Sequence, residues 1–186
     1  MNGQDYRQLF DRIRLFNFLA SDIVNFAAQK YGSEFLDYMD MNCGALPDGD
    51  YEKVIDQSAP QQFLDLYSNM VMGRLELASK KILELGDGYK AVLFDYFNKE
   101  GVNIGIEKPT GLRDAYDIIK GCSIDLLANQ DEISKDSEDE LIWHKKGNVH
   151  SLFWTLIMVA FIGGIFKGAC IEFYVTEKMD FVLKKI

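Results

Sequence analysis

The stretch that decides the fold lies at residues 151–186, SLFWTLIMVAFIGGIFKGACIEFYVTEKMDFVLKKI. Its first part, Ser151–Phe166, carries no charged side chain. A segment of about 16 residues is shorter than the roughly 20 that cross a hydrocarbon core, so we predict a buried helix and no membrane span. Small residues at the end of this helix permit close backbone packing, namely Gly163, Gly164 and Gly168.

The segments that follow this helix predict β structure. Ile171–Thr176 and Asp180–Ile186 alternate in polarity, and the few residues between them suit a hairpin turn. Upstream, Leu141–Trp143 predicts a further strand. The charged run Asn129–Glu140 (NQDEISKDSEDE) predicts a solvated loop or an exposed strand edge. The strands therefore come late in the chain.

The first two thirds of the chain have helical periodicity. Apolar residues recur at steps of three and four in Tyr6–Lys30, and again from Pro60 to Leu85. Tyr89–Lys99 and Leu112–Leu127 predict two more helices. With no internal repeat and no linker, we predict one domain over residues 1–186. Its fold class is α+β, with N-terminal helices followed by a C-terminal antiparallel sheet with a buried glycine-rich helix.

Composition limits the partners and the compartment. The 186 residues carry a net charge of −9 and have a pI near 4.7, which disfavours binding to nucleic acid and to anionic membranes. Three separated cysteines and no apolar leader indicate reduced thiols, so we predict a cytoplasmic location. Neither the cysteines nor the two histidines have the spacing of a metal site or a nucleophilic centre, and we predict no catalytic residue and no metal ligand.

One local string resembles an enzyme motif. Lys81–Tyr89 (KILELGDGY), followed by a helical stretch and Val102–Glu107 (VNIGIE), looks like the first two elements of a Rossmann-type methyltransferase. There, Glu107 would hold the ribose of S-adenosylmethionine. Lys90 replaces the third glycine, and the string continues the helical period of the preceding segment. A reduced methyltransferase is therefore kept as an alternative.

The last third of the chain resembles a ligand-binding family. Leu141–His144, the glycine-bearing FIGGIFKGA (161–169), and IEFYVTE with MDFVLKKI resemble the closing strand, glycine-rich helix and hairpin of haem nitric-oxide-binding (H-NOX) domains. Vinyl-reductase-type ligand-binding domains and small TRAPP vesicle-tethering subunits share this fold. Ile23–Ala45 is similar to the N-terminal helices of H-NOX domains.

The resemblance implies a helix, corresponding to Leu112–Ile119, that carries the haem-ligating histidine. In this chain Tyr116 stands near that place. The Tyr-x-Ser-x-Arg signature for haem propionates should follow Leu141, but residues 144–148 read HKKGN. We therefore predict a colourless protein without haem, and its cofactor stays unknown.

The resemblance implies a small-molecule-binding sensor or signalling module without catalytic activity. Its ligand would be an unidentified apolar small molecule, held between the helices and the sheet. The candidate lining residues lie on two helices: Tyr116, Ile119, Cys122, Trp154 and Met158. An assembly or tethering subunit, acting as a homodimer or with another protein, is the second alternative beside the methyltransferase.

Overall fold

The computed structural model describes residues 3–122, 131–145 and 152–186. The fold is α+β, as the sequence predicts, with N-terminal helices and a C-terminal antiparallel sheet. The elements follow one another as α1 (Gly3–Tyr31), α2 (Glu34–Cys43), α3 (Tyr51–Val54), α4 (Pro60–Leu83), α5 (Gly88–Asn103), α6 (Leu112–Cys122), β1 (Asp131–Asp136), β2 (Glu140–Lys145), α7 (Leu152–Ile165), β3 (Ile171–Val175) and β4 (Phe181–Lys185).

The chain divides into two compact units, residues 1–87 and 88–186. A single domain over 1–186 stays a prediction. The first unit is helical, because the apolar stripe of α1 packs along that of α4 and both pack against α2. The stripe residues that are completely buried include Ile13, Phe16, Ala27, Leu64, Val71 and Leu75.

An arginine fixes the end of α2 within this first unit. Arg74 of α4 is buried, pairs with Asp40 of α2, and donates from Nη2 to the carbonyl oxygen of Gly44 at 2.7 Å. Gly44 follows the last turn of α2 with φ of 84°, a conformation that favours glycine. The guanidinium therefore satisfies a carbonyl that the helix end leaves without a backbone partner.

The second unit contains a four-stranded antiparallel sheet with the strand order β1-β2-β4-β3. The predicted hairpin is confirmed, since β3 and β4 pair from Ile171↔Lys185 to Val175↔Phe181. Asp131–Asp136 of the charged run form the edge strand β1, one of the two forms that the sequence predicts, and residues 129–130 lie outside the described residues. Because β4 pairs with β2 through Trp143↔Phe181, the aromatic residues of the two central strands share one face.

A β-bulge in the edge strand decides which side chains face α6. Ile133 pairs with Trp143 and Lys135 pairs with Ile142, so Ser134 is the extra residue. Asp131 and Asp136 are five positions apart and would lie on opposite faces of a regular strand. The bulge places both carboxylates on the face of Trp143 and Leu141.

The opposite face of the sheet carries charges of alternating sign across its strands. Lys135 bonds to Glu140, and Glu140 and Glu172 both pair in register with Lys184. The hydrogen bond from Lys135 lowers the pKa of Glu140, and the charge of Lys184 acts in the same direction. Opposite charges on neighbouring strands stabilise a solvated sheet face.

The glycine-rich helix α7 packs backbone to backbone against α5. A Cβ built on Gly164 would lie 2.0 Å from the carbonyl oxygen of Asn98, and one on Gly101 would lie 2.0 Å from that of Phe161. Asn98 also donates from Nδ2 to the carbonyl oxygen of Ala160 at 3.2 Å. The close packing that the sequence predicts for this helix is therefore present at Gly164.

The structure bears on two further readings of the sequence, a membrane-spanning helix and a methyltransferase motif. The 14 residues of α7 rise about 21 Å, short of the roughly 30 Å of a hydrocarbon core. Within the three described ranges, no helix is long and apolar enough to cross a membrane. The methyltransferase-like string does not form the strand that its motif implies, because Lys81–Leu83 is the last turn of α4 and residues 104–109 follow the end of α5.

Candidate functional site

Helix α6 is held against the edge strand β1 by a buried carboxylate. The hydroxyl of Tyr116 donates to Oδ2 of Asp131 at 2.9 Å, and Nζ of Lys120 donates to the same oxygen at 3.3 Å. Tyr116 and Lys120 are four residues apart and therefore lie on one face of the helix. The ammonium group of Lys120 also stands 5.8 Å from the centroid of the Tyr116 ring.

Asp131 carries a buried carboxylate whose two oxygens are bonded unequally. Its side chain is only 3% exposed, although its backbone at the beginning of β1 is partly exposed. Both of its partners bond to Oδ2, and Oδ1 has no hydrogen-bond partner among the described residues. A buried carboxylate oxygen without a donor is costly, so such a group calls for an explanation.

Aromatic rings cover the sheet beside this carboxylate. The rings of Trp143, Phe173 and Phe181 are nearly parallel, with centroids 5.6–6.3 Å apart. Tyr116 meets Trp143 edge-on at 5.0 Å. We call these four side chains the aromatic cluster. Trp143 is buried and Phe173 is half-buried, so the cluster combines a rigid interior with a partly accessible margin.

The environment of Tyr116 keeps its hydroxyl protonated. Burial raises the pKa of Tyr116 to about 12, and the hydrogen bond to Asp131 acts in the same direction. At neutral pH the group is therefore a hydrogen-bond donor to the carboxylate. Near the place where the H-NOX resemblance implies a haem ligand, Tyr116 thus bonds to Asp131, and a protein without haem stays a prediction.

The other end of α6 contacts β1 through an exposed ion pair. Arg113 pairs with Asp136, and both side chains are roughly half exposed. An open cleft of about 680 Å³ lies beside this pair, at the beginning of α6. Most of its lining residues are polar or charged by type, and none of the five candidates is among them; the lining consists of Thr110, Gly111, Leu112, Arg113, Asp114, Asp136, Ser137, Glu138 and Lys185.

The structure places the five sequence candidates on two helices with different packing partners. Tyr116, Ile119 and Cys122 are spaced by three residues on α6, which packs against β2 and β4. Cys122 is buried, and Ile119 is half-buried. Trp154 is buried and Met158 is half-buried on α7, whose main contacts are with α5 and β3. A pocket shared by all five stays a prediction, whereas Tyr116 belongs to the cluster described above.

Sequence reasoning did not find Asp131 or Lys120. Asp131 lies in a run of charges that is typical of a solvated segment, and nothing in that run distinguishes it from its neighbours. Its side chain is placed by tertiary structure, since β1 pairs with β2 and both Tyr116 and Lys120 of α6 bond to its carboxylate. The one usable signal was the pair Tyr116 and Lys120, four apart on a helix rich in charge, which predicts a common partner but does not identify it.

The metal-binding side chains and the histidine of the described residues bear on other kinds of site. No group of three metal-binding side chains comes together in residues 3–122, 131–145 and 152–186. His144 lies 3.3 Å from Asp180 at an exposed position, which is a surface pairing. Comparison with protein-family models, curated proteins and solved structures finds no match to this chain.

Proposed function

We propose that this protein is a non-catalytic small-molecule-binding module in which Asp131 anchors the ligand. The observation that carries the proposal is the buried carboxylate of Asp131, whose Oδ1 has no donor in the described structure while it lies beside the aromatic cluster. Small-molecule sites usually combine apolar walls with a few placed polar groups. Here the aromatic cluster lies beside Asp131, and the polar group is its unbonded Oδ1.

The energetics favour a ligand role over a purely structural role for Asp131. Burial of a carboxylate costs several kcal/mol unless its oxygens are bonded, and here only one oxygen is. An uncharged side chain of similar shape would hold α6 against β1 at less cost. A ligand that donates a hydrogen bond to Oδ1 completes the set of partners. This supports the sensor or signalling role that the sequence resemblance implies.

Native mass spectrometry of freshly purified protein tests the proposal. We expect the wild type to retain a small molecule that Asp131→Asn loses. Asp136→Asn is the matched control, because Asp136 lies on the same face of the same strand and also contacts α6, but through an exposed pair. A bound mass retained equally by all three proteins would show that Asp131 is not the anchor.

The two alternative functions predict different results in the same experiment. A tethering subunit predicts a dimer mass without a ligand, and a methyltransferase predicts a complex with S-adenosylmethionine. Neither has a specific observation in its favour, and the helical conformation of Lys81–Leu83 gives the methyltransferase no structural support. The small-molecule proposal is therefore the one that the geometry favours.

A further inference from the structure

We infer that the ligand of the Asp131 site is a small organic cation with an apolar body, whose ammonium group takes the place of the Lys120 ammonium. This inference rests on the proposed function and specifies its ligand class. It is drawn from the arrangement of charges around Asp131 and from the side chains that separate Asp131 from solvent.

The first step concerns access to the carboxylate. Asp131 is 3% exposed, whereas the side chain of Lys120 is 24% exposed and reaches it through a flexible four-carbon stem. Tyr116 is fixed by its ring contact with Trp143 and by a shorter bond to the carboxylate. Lys120 is therefore the group whose movement opens the site, because its ammonium can move into solvent.

The second step concerns charge. Lys120 is the cation that pairs with Asp131, whereas Arg113, the other cation near Tyr116, pairs with Asp136. When Lys120 moves away, a buried carboxylate is left without its cation, which is strongly unfavourable. A neutral or anionic ligand does not restore the balance. A ligand ammonium restores it and also supplies N–H donors for the carboxylate.

The third step concerns the body of the ligand. The faces of aromatic rings attract cations and apolar groups, and the Tyr116 ring, whose hydroxyl bonds to Asp131, meets the Trp143 ring edge-on. The ammonium of Lys120 already stands 5.8 Å from the Tyr116 ring, so this environment accepts a cation. An amine on a short apolar or aromatic body reproduces both features of Lys120.

Three isosteric probes test the inference by isothermal titration calorimetry: benzylamine, benzyl alcohol and benzoate. We expect benzylamine to bind with a dissociation constant on the order of 1 mM, as befits a fragment. Benzyl alcohol should bind at least about tenfold more weakly, and benzoate should not bind. Asp131→Asn should weaken benzylamine about tenfold or more, and Asp136→Asn should change it less than about twofold.

Lys120→Met gives the sharpest expectation, because it removes the competing resident cation. It should tighten benzylamine binding by about threefold or more. Since this variant leaves Asp131 unpaired and can be unstable, the double variant Asp131→Asn, Lys120→Met serves as a second test. It carries no buried charge and should fold, but it should not bind benzylamine.

The outcomes separate the two claims. If benzyl alcohol binds as well as benzylamine and both require Asp131, the cation inference is wrong and the proposed anchor stands. If Asp131→Asn affects neither the probes nor a copurified ligand, both claims fail and Oδ1 is satisfied by an ordered water only. If Lys120→Met weakens benzylamine, Lys120 is part of the binding site and the replacement model is wrong.

Discussion

The helices α6 and α7 of the second unit are held in place by opposite means. Helix α7 meets α5 through glycine backbones, with Gly101 and Gly164 too close to their neighbours for a Cβ. Helix α6 meets β1 through charged side chains at its two ends, Arg113 to Asp136 and Lys120 to Asp131. The contact between α7 and α5 is made by backbone atoms that cannot change rotamer. The contact between α6 and β1 includes the flexible side chain of Lys120, which pairs with a carboxylate that has one unbonded oxygen.

This difference teaches where a ligand site is compatible with the fold. Backbone contacts within van der Waals distance transmit strain and leave no room for a guest. A lysine side chain can separate from its carboxylate partner if another cation takes its place and offsets the lost interaction. The site that we propose therefore lies at the contact made by α6, although both helices supplied candidate residues from the sequence.

The largest effect should come from breaking the contact of α7. Gly164→Ala would place a methyl group 2.0 Å from a backbone oxygen, so the two helices must separate. We expect the free energy of unfolding, measured with urea, to fall by about 3 kcal/mol or more. Gly163→Ala is the control, since its added Cβ would lie an ordinary 3.6 Å from Nδ2 of Asn98. An equal loss in both variants would contradict the packing described for this helix.

A smaller effect should come from removing one donor at the α6 contact. Tyr116→Phe keeps the ring against Trp143 and removes the hydrogen bond to Asp131, and we expect a loss of about 1–2 kcal/mol because the acceptor is charged and Tyr116 is partly exposed. The urea midpoint of the variant measures this loss. Stability equal to the wild type would mean that the hydroxyl contributes no net hydrogen bond in solution.

The same variant gives a pH signature. The pKa of Tyr116 is about 12 in the folded protein and about 10 in an unfolded chain, so the folded state binds this proton more tightly. The contribution is fully present below pH 10 and is lost as the pH rises toward 12. The difference in stability between the wild type and Tyr116→Phe should therefore shrink across that window. A difference that stays constant there would show that Tyr116 is not perturbed.

The smallest effect should come from deleting Ser134. Without this extra residue Asp131 and Asp136 are four positions apart, so a regular strand keeps both on the face of Trp143 and Leu141. Both ion pairs with α6 should therefore survive, the buried one at Asp131 and the exposed one at Asp136. We expect the free energy of unfolding to change by less than about 1 kcal/mol, and Asp131→Asn to lower it as much in that background as in the wild type. Loss of the Asp131→Asn effect there would contradict this register.

The sequence predicts the elements far better than it predicts the site. The periodicity of α1 and α4, the charge-free α7 and the alternation of β3 and β4 are local signals, and each element appears close to its predicted range. Leu112–Leu127 was predicted as one helix; the structure shows it to Cys122, and the rest lies outside the described residues. The burial of Asp131 depends on a bulge and on pairing between strands, for which the charged run carries no local signal.

The most direct test of the central claim is the side-chain carboxyl chemical shift of Asp131, followed by ¹³C NMR as benzylamine is added, with Asp136 as the internal reference. We predict that the Asp131 carboxyl carbon shifts and reaches saturation at millimolar benzylamine, with little change at Asp136. The reason is that Oδ1 of Asp131 is buried without a hydrogen-bond donor, whereas Asp136 lies in an exposed ion pair. An unchanged Asp131 signal, or equal shifts at both carboxylates, would contradict the account.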